Sequence, residues 1–158
     1  MWLYGKLSLT LSILKSGRYV VSGQSMEPAL SHNQILFVNK NAYSLESPQR
    51  GDIVVVTPPA TPNLEAVKRV VGLPRENITL SDKGVWIDGK AINTNWSPHY
   101  TNKIKHHLEW TTQENEYVVL GDNIALLSAD MNSKMIGLVQ ISQITGKVSF
   151  RLWPMNKL

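Results

Sequence analysis

Short apolar runs, each ended by Gly, Pro or Asp, recur along this chain and constrain its fold more than any other feature. Runs of this length that are rich in Val and Ile are typical of strands. No long amphipathic helix, internal repeat or low-complexity segment accompanies them. The turn sequences at 81–84 and 88–90 suggest a hairpin meander. The sequence therefore predicts a mainly β fold, with strands at 18–22, 34–39, 52–57, 64–73, 77–80, 85–88, 117–120 and 147–153.

The run at 64–73 is unusual because it carries two cations between apolar residues. Alternate side chains of a strand share a face, and two sets follow: Leu64, Ala66, Lys68 and Val70 on one face, and Val67, Arg69 and Val71 on the other. Lys68 is therefore expected on an apolar face, where burial lowers the pKa of a lysine. A lysine that is neutral near pH 7 can serve as the base for a hydroxyl nucleophile.

The candidate nucleophile is Ser25, which opens a Ser-Met-Glu-Pro segment and precedes a predicted short helical turn. Taken alone, a serine near a proline is usually a turn residue, and a strand lysine usually extends its amine to solvent. Both segments occur here with longer matching sequences around them, and agreement between independent features favours a catalytic reading.

These segments resemble those of type I signal peptidases, the membrane-bound serine proteases that remove signal peptides from exported proteins. In that family Ser-Met-x-Pro carries the nucleophile, and Lys-Arg-Val-x-Gly-Leu-Pro carries the general base; the matches here are 25–28 and 68–74. The family's Arg-Gly-Asp strand is matched at 50–56. Its Gly-Asp-Asn and Ser-x-Asp sequences are matched at 121–123 and 128–130.

The resemblance implies coiled antiparallel β-sheets of the signal-peptidase type and a catalytic Ser/Lys dyad formed by Ser25 and Lys68. It further implies that Ser128 orients Lys68 and that the backbone at Gly23 lies on the oxyanion side of the site. The remaining motif residues are expected to be structural: Met26, Asp122, Asn123 and Asp130. No metal or other cofactor is expected.

The chain departs from the family pattern in several places. Gly23 stands where some members have a serine that helps to bind the oxyanion, and Ala29 stands where threonine is common. The segment 121–139 contains extra residues, and Lys134 replaces an arginine whose planar fork would hold a carboxylate by two bonds. These changes keep open the alternative of a catalytically weakened peptide-binding domain.

Composition narrows the possible partners. The net charge of +4 is scattered, without a nucleic-acid-binding signature, so we expect no nucleic acid and favour an anionic membrane surface. The absence of cysteine excludes disulfides and thiolate catalysis.

We expect one catalytic domain at 18–158 with an inserted region at 93–115, whose histidines His99, His106 and His107 are assigned to the surface.

Residues 1–17 are ambiguous from sequence. Their apolar stretch is far shorter than the ~20 residues that span a bilayer, and no cleavage site for a signal peptide follows. A membrane-associated segment and an N-terminal strand both remain open; alternation of Leu7, Leu9, Leu11 and Ile13 with polar residues favours the strand.

The expected activity is a membrane-associated, extracytoplasmic endopeptidase acting on preproteins with small residues before the cleavage site. A specialised maturation protease with one dedicated substrate is an alternative within the same class. Related self-cleaving repressors are disfavoured, because only 24 residues precede Ser25 and leave no room for a DNA-binding module.

Overall fold

The computed structural model describes residues 16–58, 63–96, 107–123 and 137–153. Within them the chain forms strands and one short 3₁₀ turn at Ile141–Gln143, so the predicted mainly β fold is confirmed. The strands are β1 (Ser16–Val20), β2 (Ile35–Asn39), β3 (Ile53–Val56), β4 (Ala66–Gly72), β5 (Asn77–Ser81), β6 (Gly84–Ile87), β7 (Lys90–Ala91), β8 (Leu108–Thr111), β9 (Glu116–Leu120), β10 (Gly137–Gln140) and β11 (Ile144–Trp153).

The strands form two antiparallel sheets. The larger has seven strands in the order β1-β2-β11-β3-β4-β9-β10, and the smaller has four in the order β7-β6-β5-β8. Strands β5, β6 and β7 form the predicted meander, with Ser81 opposite Gly84 at one turn and Ile87 opposite Lys90 at the next.

The larger sheet is buried on both faces around β3 and β4. Ile53 and Val55 pack in one apolar cluster, whereas Val54 and Val56 pack in another. The sequence of a strand that is covered on both faces is a continuous apolar run, and that of β3 is Ile-Val-Val-Val. A third cluster joins β4 and β9 of the larger sheet to β5 and β6 of the smaller one. Strand β4 therefore lies where all three clusters meet.

One prediction about β4 is wrong. The strand begins at Ala66, and Leu64, which we expected on the same buried face as Lys68, lies outside it and is 63% exposed. From Val67 to Gly72 every residue is buried, so alternation along β4 does not separate a buried face from an exposed one.

Three strands were not predicted: β7, β8 and β10. Strand β8 lies in the region predicted as an insertion, pairs with β5 and packs Trp110 against the third cluster. Each of the three is only two to four residues long and owes its conformation to its neighbour. The assignment of 18–158 to a single domain stays a prediction.

The apolar segment near the N-terminus falls within residues 1–15, outside the described residues. In the part of the chain that the structure describes, no helix has the length and apolar character needed to cross a membrane.

Gly72 generates a testable prediction about the contact between the sheets. A Cβ at Gly72 would lie 2.6 Å from two side-chain carbons of Ile78 and 3.0 Å from Cβ of Val118. We expect Gly72→Ala to lower the free energy of unfolding by about 1–3 kcal/mol because this site is already filled. The control is Gly17→Ala, where the nearest atom belongs to the flexible Lys40 side chain. Equal denaturation midpoints for the two variants would contradict the packing described here.

Candidate active site

The turn that follows β1 presents Ser25. Met26 and Leu30 are 1% and 0% exposed and pack in the same cluster as Ile53 and Val55. The Leu30 amide donates to the Met26 carbonyl at 2.9 Å, which closes the predicted helical turn. The bond between Glu27 and Pro28 is cis. Anchored by two apolar side chains four positions apart, the turn leaves Ser25 half-buried at its start.

Lys68 meets Ser25 from the middle of β4. The distance from Lys68 Nζ to Ser25 Oγ is 2.8 Å, and Lys68 is only 4% exposed. Burial lowers the pKa of Lys68 from 10.5 to about 8, against the opposing effect of the Asp122 carboxylate, which raises it. An amine with this pKa is partly neutral near pH 7, and a neutral amine at this distance can accept the hydroxyl proton.

Asp122 is itself held by Arg69, the residue after Lys68. The Arg69 guanidinium donates through Nε to Asp122 Oδ1 at 2.8 Å and through Nη2 to Oδ2 at 2.6 Å. Its Nη1 donates to the Gly51 carbonyl at 2.8 Å, and its Cζ lies 5.2 Å from the centre of the Trp96 ring. Both charged side chains are buried. A paired carboxylate therefore lies beside the amine of Lys68 without replacing Ser25 as its partner.

The segment 121–123 also contacts the backbone of the Ser25 turn. The Asn123 amide donates to the Ser25 carbonyl at 2.9 Å, and Asn123 Nδ2 donates to the Gln24 carbonyl at 3.1 Å. A Cβ on Gly121 would lie 2.4 Å from the Ser25 carbonyl oxygen, so only glycine permits this approach. The three residues of the Gly-Asp-Asn sequence therefore contact the Ser25 turn and the ion pair of Arg69 from one continuous segment.

Gly23 lies two residues before the serine, with φ of +86°, in the region that favours glycine. Its amide donates to Nδ1 of His32 at 3.1 Å. The Gly23 N–H is therefore already hydrogen-bonded to His32, two residues before Ser25 in the chain.

Other predicted residues lie outside the described residues. These are Ser128, Asp130 and Lys134, together with a helical turn expected within 125–135 and the histidines His99 and His106. His107 is described, and its side chain is 60% exposed. Among the described residues, no three His, Asp or Glu side chains are grouped so that they could hold a metal ion.

Comparison with known proteins identifies the family. The model of the family described as "Signal peptidase, peptidase S26" matches residues 3–153. The chain belongs to this signal peptidase family. It is accordingly a serine-type endopeptidase of the signal peptidase I kind.

The relatives of this signal peptidase family member match along nearly its whole length. The chain is 35% identical to Signal peptidase I of Bacillus caldolyticus, over 94% of this chain and 85% of that protein. It is 32% identical to Probable signal peptidase I-2 of Synechocystis, over 99% and 76%. A crystal structure of a signal peptidase I from Enterococcus faecalis V583 aligns with a TM-score of 0.50 at 23% identity, covering 65% of this chain and 97% of the other, which supports the fold.

Sequence reasoning did not predict three contacts of the site: the ion pair of Arg69 with Asp122, the close approach of Gly121 to Ser25, and the bond from Gly23 to His32. The sequence did contain a sign of the ion pair, because a second cation within an apolar strand needs a buried anion. The other two depend on backbone approaches between distant segments, which no local pattern reveals.

The lowered pKa of Lys68 predicts that this residue destabilises the fold. Below about pH 8 the lysine is charged in both states, and the folded state bears the cost of burying the charge. A fall in pKa from 10.5 to about 8 corresponds to about 3 kcal/mol. Between about pH 8 and 10.5 the unfolded chain binds the extra proton, so stability rises with pH across this window.

We therefore expect Lys68→Met to raise the free energy of unfolding at pH 7 by up to about 3 kcal/mol. The difference from the wild type should shrink as pH approaches 10.5. Urea denaturation at pH 7 and pH 10 measures both quantities. Lys83→Met, a change at an exposed lysine in the turn between β5 and β6, is the control. A wild type more stable than Lys68→Met at pH 7 would contradict the charge-burial argument.

Proposed function

We propose that this protein removes N-terminal signal peptides from exported preproteins, with Ser25 as nucleophile and Lys68 as general base. One observation carries the proposal: the buried amine of Lys68 lies 2.8 Å from the Ser25 hydroxyl, with its pKa lowered to about 8. Relatives named signal peptidase I support the choice of substrate class.

The proposed reaction proceeds in two stages. Neutral Lys68 takes the proton of the Ser25 hydroxyl while the oxygen attacks the scissile carbonyl, forming a tetrahedral anion. Backbone N–H groups, beginning with that of Ser25, stabilise this anion. Collapse breaks the C–N bond, and Lys68 passes its proton to the leaving amine. Lys68 then takes a proton from the water that attacks the ester, and returns this proton to the Ser25 oxygen as the C–O bond breaks. The acyl group leaves as a carboxylic acid, which ionises in solution, and the dyad is restored.

The remaining roles extend the family resemblance. Ser128 is proposed to orient Lys68, and Asp130 to support the same segment. The preferred substrate is an extended peptide with small residues before the cut, such as an Ala-x-Ala ending, bound by strand addition. A protease dedicated to one substrate fits the same site, and a domain that binds such peptides without cutting them is the competing non-catalytic function.

We also propose that the protein works at a membrane surface, on the extracytoplasmic side. An apolar surface at one end of the larger sheet supports this. Val20 and Trp153 both pair with Ile35 and are 56% and 67% exposed, and the exposed ring of Phe150 stacks on Phe37 at 4.6 Å. We call Val20, Phe37, Phe150 and Trp153 the apolar patch. An exposed apolar surface marks a contact with a membrane or another protein, and Trp and Phe are the side chains that bind at the membrane interface.

Charge near the apolar patch suggests which membrane it would contact. Arg18 lies on β1 two residues before Val20, opposite Phe37, and is exposed. Together with the net charge of +4, this arginine favours a bilayer that contains anionic lipid.

The dyad predicts the pH dependence of cleavage. The base must be neutral, so kcat/KM for a preprotein with an Ala-x-Ala junction should rise about tenfold per pH unit below pH 8 and level off above it. The assay uses the full chain in detergent. Ser25→Ala and Lys68→Met should abolish cleavage, whereas Ser44→Ala, at an exposed serine outside the site, should not.

Three results would contradict the dyad: turnover retained by either dyad variant, a rate independent of pH between 6 and 9, and binding of the peptide by wild type and Ser25→Ala without cleavage by either. The last would favour the peptide-binding alternative.

The apolar patch generates a second prediction. Replacing both Phe150 and Trp153 with Ser should weaken binding of the full chain to vesicles containing anionic lipid roughly tenfold or more, because the two side chains lose apolar burial. Cleavage of a short soluble peptide should not change. The control is Leu45→Ser, at a leucine that is 97% exposed and outside the patch. Equal co-sedimentation of both variants with vesicles would show that the patch does not contact lipid.

A further inference from the structure

We infer that Asn123 is a positioning residue that aims the Ser25 N–H at the oxyanion, an inference that rests on the proposed function. Asn123 makes two hydrogen bonds, one to each carbonyl that flanks the serine. Together they hold the two peptide groups on either side of the Ser25 Cα. Among the described residues, Asn123 is the one whose hydrogen bonds reach both carbonyls; the Glu27 amide donates to that of Gln24 alone.

The bond to Gln24 acts on the oxyanion donor itself. The carbonyl of Gln24 and the N–H of Ser25 belong to the same peptide group, which is planar and trans. In a trans peptide group the C=O bond and the N–H bond point in opposite directions. The Glu27 amide donates to this carbonyl oxygen at 3.2 Å from within the turn, and Asn123 Nδ2 donates to it at 3.1 Å from outside. The two hydrogen bonds together fix the direction of the N–H on the other side of the peptide group. The orientation is set before substrate arrives, which is the condition for effective stabilisation of an oxyanion.

The same bond strengthens the donor as well as aiming it. A hydrogen bond accepted by a peptide carbonyl polarises the group and makes its N–H a stronger donor, by roughly 10–30% per bond in a chain. Here the chain runs from Asn123 Nδ2 through the Gln24 carbonyl to the Ser25 N–H and on to the oxyanion. This path carries no net charge, so it leaves the pKa of Lys68 unaffected.

The surrounding contacts make Asn123 rigid enough for this role. Gly121 approaches the Ser25 carbonyl more closely than any residue with a Cβ could, and Asp122 is fixed by two bonds from buried Arg69. Asn123 follows directly on this fixed segment. Its backbone bond to the Ser25 carbonyl does not depend on its side chain, so the two contributions can be separated by mutation.

The test is Asn123→Ala in the full chain, which removes the bond to Gln24 and keeps the backbone bond. We expect kcat to fall roughly 10- to 100-fold, somewhat less than the 10²–10³-fold loss of a direct oxyanion donor. KM and the midpoint of the pH profile should stay at wild-type values. A peptide boronic acid, which forms a tetrahedral adduct with the serine, should lose affinity by a similar factor. A cleavage-resistant peptide with proline after the junction should bind as before.

Asn123→Asp is the second variant, because it keeps the side-chain shape but replaces the donor with an acceptor facing the Gln24 carbonyl. We expect at least the same loss of kcat, and in addition a shift of the pH profile to higher pH caused by the new charge. Gln49→Ala is the matched control: it removes an amide donated to a backbone carbonyl, that of Ser47, outside the site. It should cleave like the wild type.

Two outcomes would overturn the inference. In one, Asn123→Ala cleaves and binds the boronic acid like the wild type. In the other, Asn123→Ala loses kcat but also binds the cleavage-resistant peptide more weakly, or unfolds at a midpoint low enough to explain the lost activity. Either of these results would mean that Asn123 has only a structural role. Failure of the proposed function is distinguishable, because then the wild type itself would show no cleavage dependent on Ser25 and Lys68.

Discussion

The buried amine of Lys68 is the feature on which the rest of the site depends. Burial disfavours its charged form, whereas the nearby Asp122 carboxylate favours it, and burial is the larger effect. Arg69 holds both oxygens of that carboxylate. A guanidinium bound in this bidentate way offsets much of the negative charge that Lys68 would otherwise experience. The ion pair thus supports the fold while limiting how far Asp122 can raise the pKa of Lys68.

The sheet provides the surroundings that this amine requires. Strand β4 lies at the junction of three apolar clusters, so Lys68 is shielded by packing on both faces of the sheet. The Ser25 turn is anchored in one of these clusters through Met26 and Leu30. The hydroxyl and the amine are therefore brought together by the core itself, rather than by flexible side chains on the surface.

The pattern of apolar and turn residues along the sequence predicted several of the strands. The predicted strands at 34–39, 52–57 and 77–80 match observed strands to within a residue at each end. The first two contain continuous apolar runs and the third alternates apolar with polar residues, and both patterns are typical of short strands. Ser25 and Lys68 were paired through the flanking motifs, and their catalytic roles remain a proposal. Leu64 was misplaced because the strand was expected to begin there, whereas β4 begins at Ala66 and leaves Leu64 exposed before it.

The unpredicted parts are those that depend on distant segments. Arg69 and Asp122 are separated by 53 positions, and their pairing follows from the adjacency of β4 and β9 in the larger sheet. Strand β8 is short and half-buried, and it becomes a strand by pairing with β5. Such features depend on sheet topology, which hydrophobic periodicity does not determine.

Stability and the proposed catalysis make opposite demands on the Lys68 amine. With a pKa of about 8, roughly one molecule in ten carries the neutral base at pH 7, whereas an ordinary lysine would be neutral in roughly one in three thousand. Deeper burial could raise that fraction by at most a further tenfold. Each further drop of one in the pKa would cost about 1.4 kcal/mol, out of a typical total stability of about 5–15 kcal/mol. The burial of Lys68 and its attraction to Asp122 therefore set both the fraction of neutral amine and the stability lost by burying its charge.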